Sequence, residues 1–271
     1  MSGAIEVNGL LKSYGAHRVL HGLTFKVERG EIFALLGVNG AGKTTALECI
    51  EGLRRHEGGA VAVHGKMGIQ LQSASLPSHI KCAEAVRLFA KWNRANIDGE
   101  MLAALGIDQL AGKQYGALST GQKRRLHLAL ALIGGPEILF LDEPTAGLDV
   151  EGRLSLHAQI RRLKALGKTI VLASHDMAEV EELCDRIAIL NQGQIAFLGT
   201  VEELGAKMGK HYTLRVTTAE GVEQLVTDDV GDTLLTLLES CKRRGVAVLD
   251  IKIDRGSLEQ HFMEIAKGAG V

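Results

Sequence analysis

The chain has 271 residues, 46% of them hydrophobic and 23% charged, and its 31 basic and 32 acidic side chains leave a net charge of -1. That length holds one large α/β domain, alone or with a small appendage, and the ordinary composition excludes a fibrous or disordered chain. The balanced charge excludes a bulk pull toward nucleic acid or anionic lipid, so no nucleic-acid partner is expected.

In chain order, the N-terminal MSGAIEVNGL lacks a basic stretch followed by an apolar one, and no secretion signal is read there. Leu23, Phe25 and Val27 alternate with polar residues, as in a half-buried antiparallel strand. Ile32 to Leu36, Ile138 to Leu141 and Thr169 to Ala173 are continuous apolar runs, the mark of central parallel strands buried on both faces. Residues 73–135 lack such runs and read as a helical subdomain, including a helix over Ala83 to Ala95. The most apolar run, Leu128 to Pro136, falls far short of the ~20 residues a membrane span requires. Cys49, Cys82, Cys184 and Cys241 form no CxxC pair and read as small buried hydrophobes in a reducing compartment.

Beyond residue 200 the texture changes. Thr200 and Glu203 form a capping box for a short helix. His211 to Val216 and Leu249 to Ile253 read as strands, and Thr233 to Arg244 as a helix with Asp232 at its start and Gly245 past its end. The Leu234, Leu235, Leu237 and Leu238 cluster reads as core, and Ser257 with Gln260 as the cap of a final helix. The expected division is residues 1–200, an α/β domain, and 201–271, a small α+β domain.

Three motifs carry chemistry. Gly37, Asn39, Gly40, Ala41, Gly42, Lys43 and Thr44, followed by Thr45, fit GxxxxGK[ST] between an apolar strand and a helix. Such a loop curls its amides round a β-phosphate at a helix N-terminus, with Lys43 bridging β- and γ-phosphates and the Thr44 hydroxyl on Mg²⁺. Asp142 and Glu143 end a buried strand, where parallel sheets bind ligands. Asp142 is the expected Mg²⁺ residue and Glu143 the general base. Leu118 to Gln122 reads LSTGQ before a helix, and Ser119 with Gln122 would be a capping box whatever else they do. His17 and His21, four apart but at a turn and strand, are not expected to hold a metal.

LSTGQ closely resembles the LSGGQ signature of ATP-binding-cassette (ABC) ATPases, with Thr120 in place of the first glycine of that signature. The resemblance implies a P-loop ABC cassette, a mixed sheet core with a helical subdomain, that binds ATP and Mg²⁺ and hydrolyses ATP. It also implies roles in one order along the chain. Tyr14 resembles the aromatic that stacks on adenine, and Gln72 the glutamine that senses Mg²⁺ and the attacking water. Ser119, Gly121 and Gln122 would meet the γ-phosphate held by the opposite subunit. Asp149 lies in the D-loop, where Ala146 replaces a frequent serine, and His175 resembles the switch histidine.

With one cassette, no membrane span and no long coiled-coil or zinc-bearing insertion, the chain resembles the motor of a membrane transporter. The expectation is a cytoplasmic subunit, peripheral on the inner face of the cell membrane, docked through residues 73–92 on separate integral-membrane permeases and paired with a second ATPase subunit, as a homodimer. Ser257, Leu258, Glu259, Phe262 and Glu264 resemble the ending of ATPases serving ABC-2-type, drug-resistance exporters. An importer ATPase is the alternative, and a soluble ABC mechanoprotein a more remote one.

Overall fold

The alternation seen at residues 23–27 belongs to a long hairpin. β1 (Ile5–Tyr14) and β2 (His17–Val27) pair antiparallel, Ile5 opposite Val27 and Tyr14 opposite His17. Leu23, Phe25 and Val27 are buried and Thr24 is exposed, because successive side chains of a strand face opposite sides. β3 (Ile32–Leu36) follows, buried at all five positions, and leads through a glycine-rich loop into α1 (Lys43–Ile50). β4 (Gly58–Val63) then returns antiparallel to β1 and completes a three-stranded sheet. These elements come from a computed structural model that describes residues 3–71, 75–207, 212–255 and 258–267.

β5 (Met67–Gln70) enters a second sheet. The helical insert comes next, with α2 (Cys82–Trp92), α3 (Gly99–Ala104) and α4 (Thr120–Leu132). α2 stops at Trp92, three residues before the expected end, because Arg94 adopts the left-handed conformation (φ 50°) that terminates a helix. The chain then alternates β6 (Ile138–Asp142), α5 (Val150–Ala165), β7 (Thr169–Ser174), α6 (Met177–Leu183), β8 (Arg186–Asn191) and β9 (Gln194–Thr200). The six strands lie in the order β5-β6-β7-β3-β8-β9, with β5, β6, β7, β3 and β8 parallel.

The apolar runs predicted to be central strands are therefore neighbours, and their ends align. Leu36 pairs with Ser174 and Asp142 with Ala173, so the residues after β3, β6 and β7 emerge at one edge. Between the two sheets, α1 packs Ala46, Leu47 and Ile50 into a shared core where Phe25 and Phe33 stack at 5.3 Å. No helix of the described residues is long and apolar enough to cross a membrane.

The chain divides into two compact units, residues 1–198 and 199–271. In the second, α7 (Val201–Lys207) opens with the Thr200–Glu203 capping box, Glu203 N to Thr200 Oγ1 3.1 Å and Thr200 N to Glu203 Oε2 2.9 Å. β10 (Tyr212–Thr218) is flanked by β11 (Gly221–Thr227) and β12 (Val248–Arg255), and α8 (Val230–Arg244) and α9 (Leu258–Lys267) complete the unit. α8 starts three residues before the predicted Thr233. Asp229, not Asp232, caps it, accepting from Asp232 N at 3.0 Å, while Gly245 ends it at φ 70°. Leu237 is buried but Leu235 is exposed, so only part of the leucine cluster is core. Ser257 lies outside the described residues.

One glycine ties the far sheet edge to the loop before α1. Gln192 (φ 46°) and Gly193 (φ 73°) make the two-residue turn between β8 and β9. Gly193 N donates to Ala41 O at 3.1 Å and its carbonyl accepts from His21 N at 2.9 Å. A Cβ there would lie 1.9 Å from Val19 O. Gly193→Ala is expected to cost about 1–3 kcal/mol in urea unfolding. Gly15→Ala should cost less, since a Cβ at that turn meets nothing within 4 Å.

Candidate functional site

The loop from Gly37 to Gly42 curls because Gly40 and Gly42 take φ of 84° and 103°. At Gly42 there is no room either, since a Cβ would come within 2.9 Å of Leu20 Cδ2. Gly42 is the N-cap of α1 and brings no side chain to cap it, so first-turn N–H groups are left to face an anion. Lys43 is buried, and its Nζ donates to Gly37 O at 2.6 Å and Val38 O at 3.4 Å. Burial lowers its pKa, against the opposing charges of Glu143 and Asp142.

Across from this loop stand the two carboxylates. The Thr44 hydroxyl donates to Asp142 Oδ2 at 3.4 Å, while buried Asp142 Oδ1 has no hydrogen-bond partner. Burial, then the charge of Glu143, raises the Asp142 pKa; Thr44 and Lys43 oppose the rise. A buried carboxylate with one orphan oxygen beside a threonine hydroxyl suits a hard divalent cation with oxygen ligands. Glu143 holds a left-handed backbone conformation, φ 48°, fixed by Glu143 N donating to Ala173 O at 3.0 Å. Its buried carboxylate oxygens lie 2.8 and 2.9 Å from Nδ1 of the more exposed His175.

A cavity of ≈ 350 Å³ is lined by Asn39, Gly40, Gly42, Lys43, Thr44, Thr45, Glu143 and Val19. Val19 carried no signal in the sequence. The glycine loop, Lys43 and the Glu143 carboxylate thus share one opening. Tyr14, 43% exposed, has Lys12 Nζ at 5.3 Å and Arg54 Cζ at 5.2 Å from its ring centre.

Ser119, Gly121, Gln122 and Asp149 do not join that cavity. They line another, of ≈ 490 Å³, with Gly147, Arg124 and Arg125. Ser119 Oγ accepts from Gln122 N at 3.3 Å and Gln122 Oε1 from Ser119 N at 3.1 Å, the reciprocal box that starts α4. Asp149 Oδ1 accepts from Gly152 N at 2.8 Å and so caps α5. Gln72 lies outside the described residues. Gln70, two residues earlier, is buried with neither amide atom partnered.

The ABC transporter family model matches residues 20–146. The fluoroquinolones export ATP-binding protein of Mycobacterium tuberculosis is 40% identical over 74% of this chain and 72% of its own length. The sn-glycerol-3-phosphate import ATP-binding protein UgpC 1 of Rhizobium johnstonii is 32% identical over 91% of this chain and 68% of its own. A solved ATP-binding subunit of an ABC transporter superposes with a TM-score of 0.68 at 27% identity, covering 75% of this chain and 92% of that one.

Sequence reading also passed over Glu51, just past α1. It is buried, Oε2 has no partner, and burial, then Asp142 and Glu48, push its pKa from 4.5 up to about 7. The folded state thus favours the neutral acid. The associated stability is fully present below pH 4.5 and is lost as pH rises through 7, by about 3 kcal/mol. Glu51→Gln is expected to flatten that decline, gaining about 1–3 kcal/mol near pH 8 and almost nothing near pH 4 in urea unfolding without nucleotide.

Proposed function

We propose that this chain, which belongs to the ATP-binding subunits of ABC transporters and is an ATPase, powers export through separate integral-membrane permeases as one of two identical ATPase subunits. The observation that carries the catalytic reading is Glu143, held in a left-handed turn against His175 and facing Lys43 across the loop cavity. Tyr14 offers a face for the adenine, and the amides of Gly37 to Gly42 with Lys43 hold the β- and γ-phosphates. Thr44 and Asp142, with Gln72, hold Mg²⁺, which neutralises phosphate charge when bound. Glu143 takes the proton of the attacking water, and His175 orients Glu143 and meets the γ-phosphate. Residues 1–200 would suffice for this chemistry.

The two cavities support the pairing. Ser119, Gly121, Gln122 and Asp149 line an opening separate from the one that holds Lys43 and Glu143. A second copy, turned to face the first, brings them over its phosphates. Export is supported by the fluoroquinolones export relative and by the ending Leu258, Glu259 and Phe262, of which Phe262 is buried. The import relative supports the second reading. A six-span permease encoded beside the chain supports export, and a periplasmic binding protein there supports import.

Glu143→Gln keeps the shape of the side chain but cannot take a proton. It is expected to lower kcat by about 10²–10⁴-fold while ATP still binds. Lys43→Ala should instead weaken ATP binding, by about ten- to a hundredfold. Phosphate release and nucleotide titration read the two effects, and near-wild-type hydrolysis by Glu143→Gln removes it from the role of base.

The permease groove is proposed at residues 73–92. Leu76, Ile80 and Trp92 are the candidate contacts, and Trp92, at the end of α2 beside Phe89, is 79% exposed. Cysteines placed at 76–80 are expected to crosslink to cytosolic loops of the permease. An intact complex that yields no crosslink sinks the assignment.

A further inference from the structure

Behind the Glu143–His175 pair lies a buried carboxylate that the motifs leave unexplained. Glu179 of α6 is 1% exposed. Its Oε2 accepts from Ser174 Oγ at 2.7 Å, and the Thr145 hydroxyl bonds to the same carboxylate. Ser174 immediately precedes His175, and Thr145 stands two residues after Glu143. Ser174 Oγ also accepts from Asp176 N at 3.1 Å, so the backbone on both sides of His175 is tied to one hydroxyl.

A second buried group faces Glu179 from α5. His157, also 1% exposed, has Nε2 3.6 Å from Glu179 Oε1 and Nδ1 2.8 Å from Glu182 Oε2. On the same stripe of α5, Arg153 donates to Asp176 at 3.1 Å and Arg161 to Glu182 at 2.8 Å. The four-residue spacing of 153, 157 and 161 places all three on one helix face. These contacts join α5 to α6 along the length of α6.

Burying a carboxylate is costly, and burial raises the Glu179 pKa against the bonds from Ser174 and Thr145 and the facing His157. A leucine or methionine would fill the same space without that cost. What the carboxylate does that they cannot is accept from two hydroxyls, one beside each member of the Glu143–His175 pair.

We propose that Glu179 is a positioning residue, which ties Ser174 to Thr145 and so sets His175 against Glu143, while His157 links this clamp to α5. The proposal rests on the reading of Glu143 as the base. Asp149, the N-cap of α5, lies on the wall of the second cavity, so the clamp is mechanically continuous with the surface proposed to meet the other subunit.

The test is steady-state ATP hydrolysis by the full chain, with nucleotide titration and thermal unfolding alongside. Glu179→Ala is expected to lower kcat by about 10–100-fold with ATP affinity within about twofold of wild type. Glu179→Gln should restore most of the rate, because its amide oxygen still accepts from the hydroxyls. A Glu179→Ala protein that melts earlier but turns over normally when folded overturns the proposal. Equal losses in the Ala and Gln variants overturn it too. If Glu179→Ala does not fold, Ser174→Ala and Thr145→Val decide, and normal kcat in both is fatal. Glu143→Gln, run in parallel, separates the two failures. Its continued hydrolysis removes the base and the clamp together, whereas an inactive Glu143→Gln beside a fully active Glu179→Ala removes the clamp alone.

Discussion

The polarity of a parallel sheet is the constraint on which the rest of this structure depends. Parallel strands all finish at one edge, and β3, β6 and β7 are adjacent and level there, Leu36 beside Ser174 and Asp142 beside Ala173. Whatever follows each strand must meet whatever follows the others. The glycine loop, Glu143 and His175 are far apart in the chain and become neighbours by this geometry alone. The arrangement is rigid because each of the three strands is buried at every position, and α1 fills the gap between the two sheets. Gly193 extends the same logic sideways, fastening the β8–β9 turn to the loop through Ala41.

Electrostatics then explains why such a scaffold awaits a ligand. Each charged group at the edge makes do with a substitute partner from its own chain. Lys43 donates to Gly37 and Val38 carbonyls, Glu143 leans on His175, and one oxygen of Asp142 has nothing. Phosphate oxygens are stronger acceptors for an ammonium than backbone carbonyls, and buried carboxylates in general favour a cationic partner over a neutral one. The left-handed turn at Glu143 fits the same picture. It costs about 1–2 kcal/mol and is held by surrounding structure, as expected where a side chain must be aimed rather than merely packed.

What was legible in the sequence was whatever depends on contiguous backbone. The loop motif, the acidic strand end and the LSTGQ box each act through neighbours in the chain, so their spacing survives as text. The central strands were legible because burial on both faces writes itself as an apolar run. β11 was not, because all its residues but Thr227 are exposed and no alternation develops. The start of α8 was misplaced because Asp229 and Asp232 are both good caps, and only the backbone bond from Asp232 N to Asp229 decides between them. Glu179 was hidden for a third reason. In the stretch from Glu179 to Glu182, three glutamates in four residues carry no pattern that sets one apart, and the packing of α5 on α6 buries Glu179 almost completely.

The two cavities differ in how much of their hydrogen bonding the chain completes for itself. At α4 the start of the helix is internally satisfied, Ser119 and Gln122 each serving the other's backbone. At α1 the N-cap is a glycine in a conformation that other residues avoid, and it brings no side-chain cap to the first-turn amides. A side-chain cap is worth about 1 kcal/mol, so its absence at α1 leaves stability unclaimed in the unliganded chain. An anion at that helix end would meet those amides with charge-assisted hydrogen bonds. The start of α1 therefore suits an anion better than the self-capped start of α4.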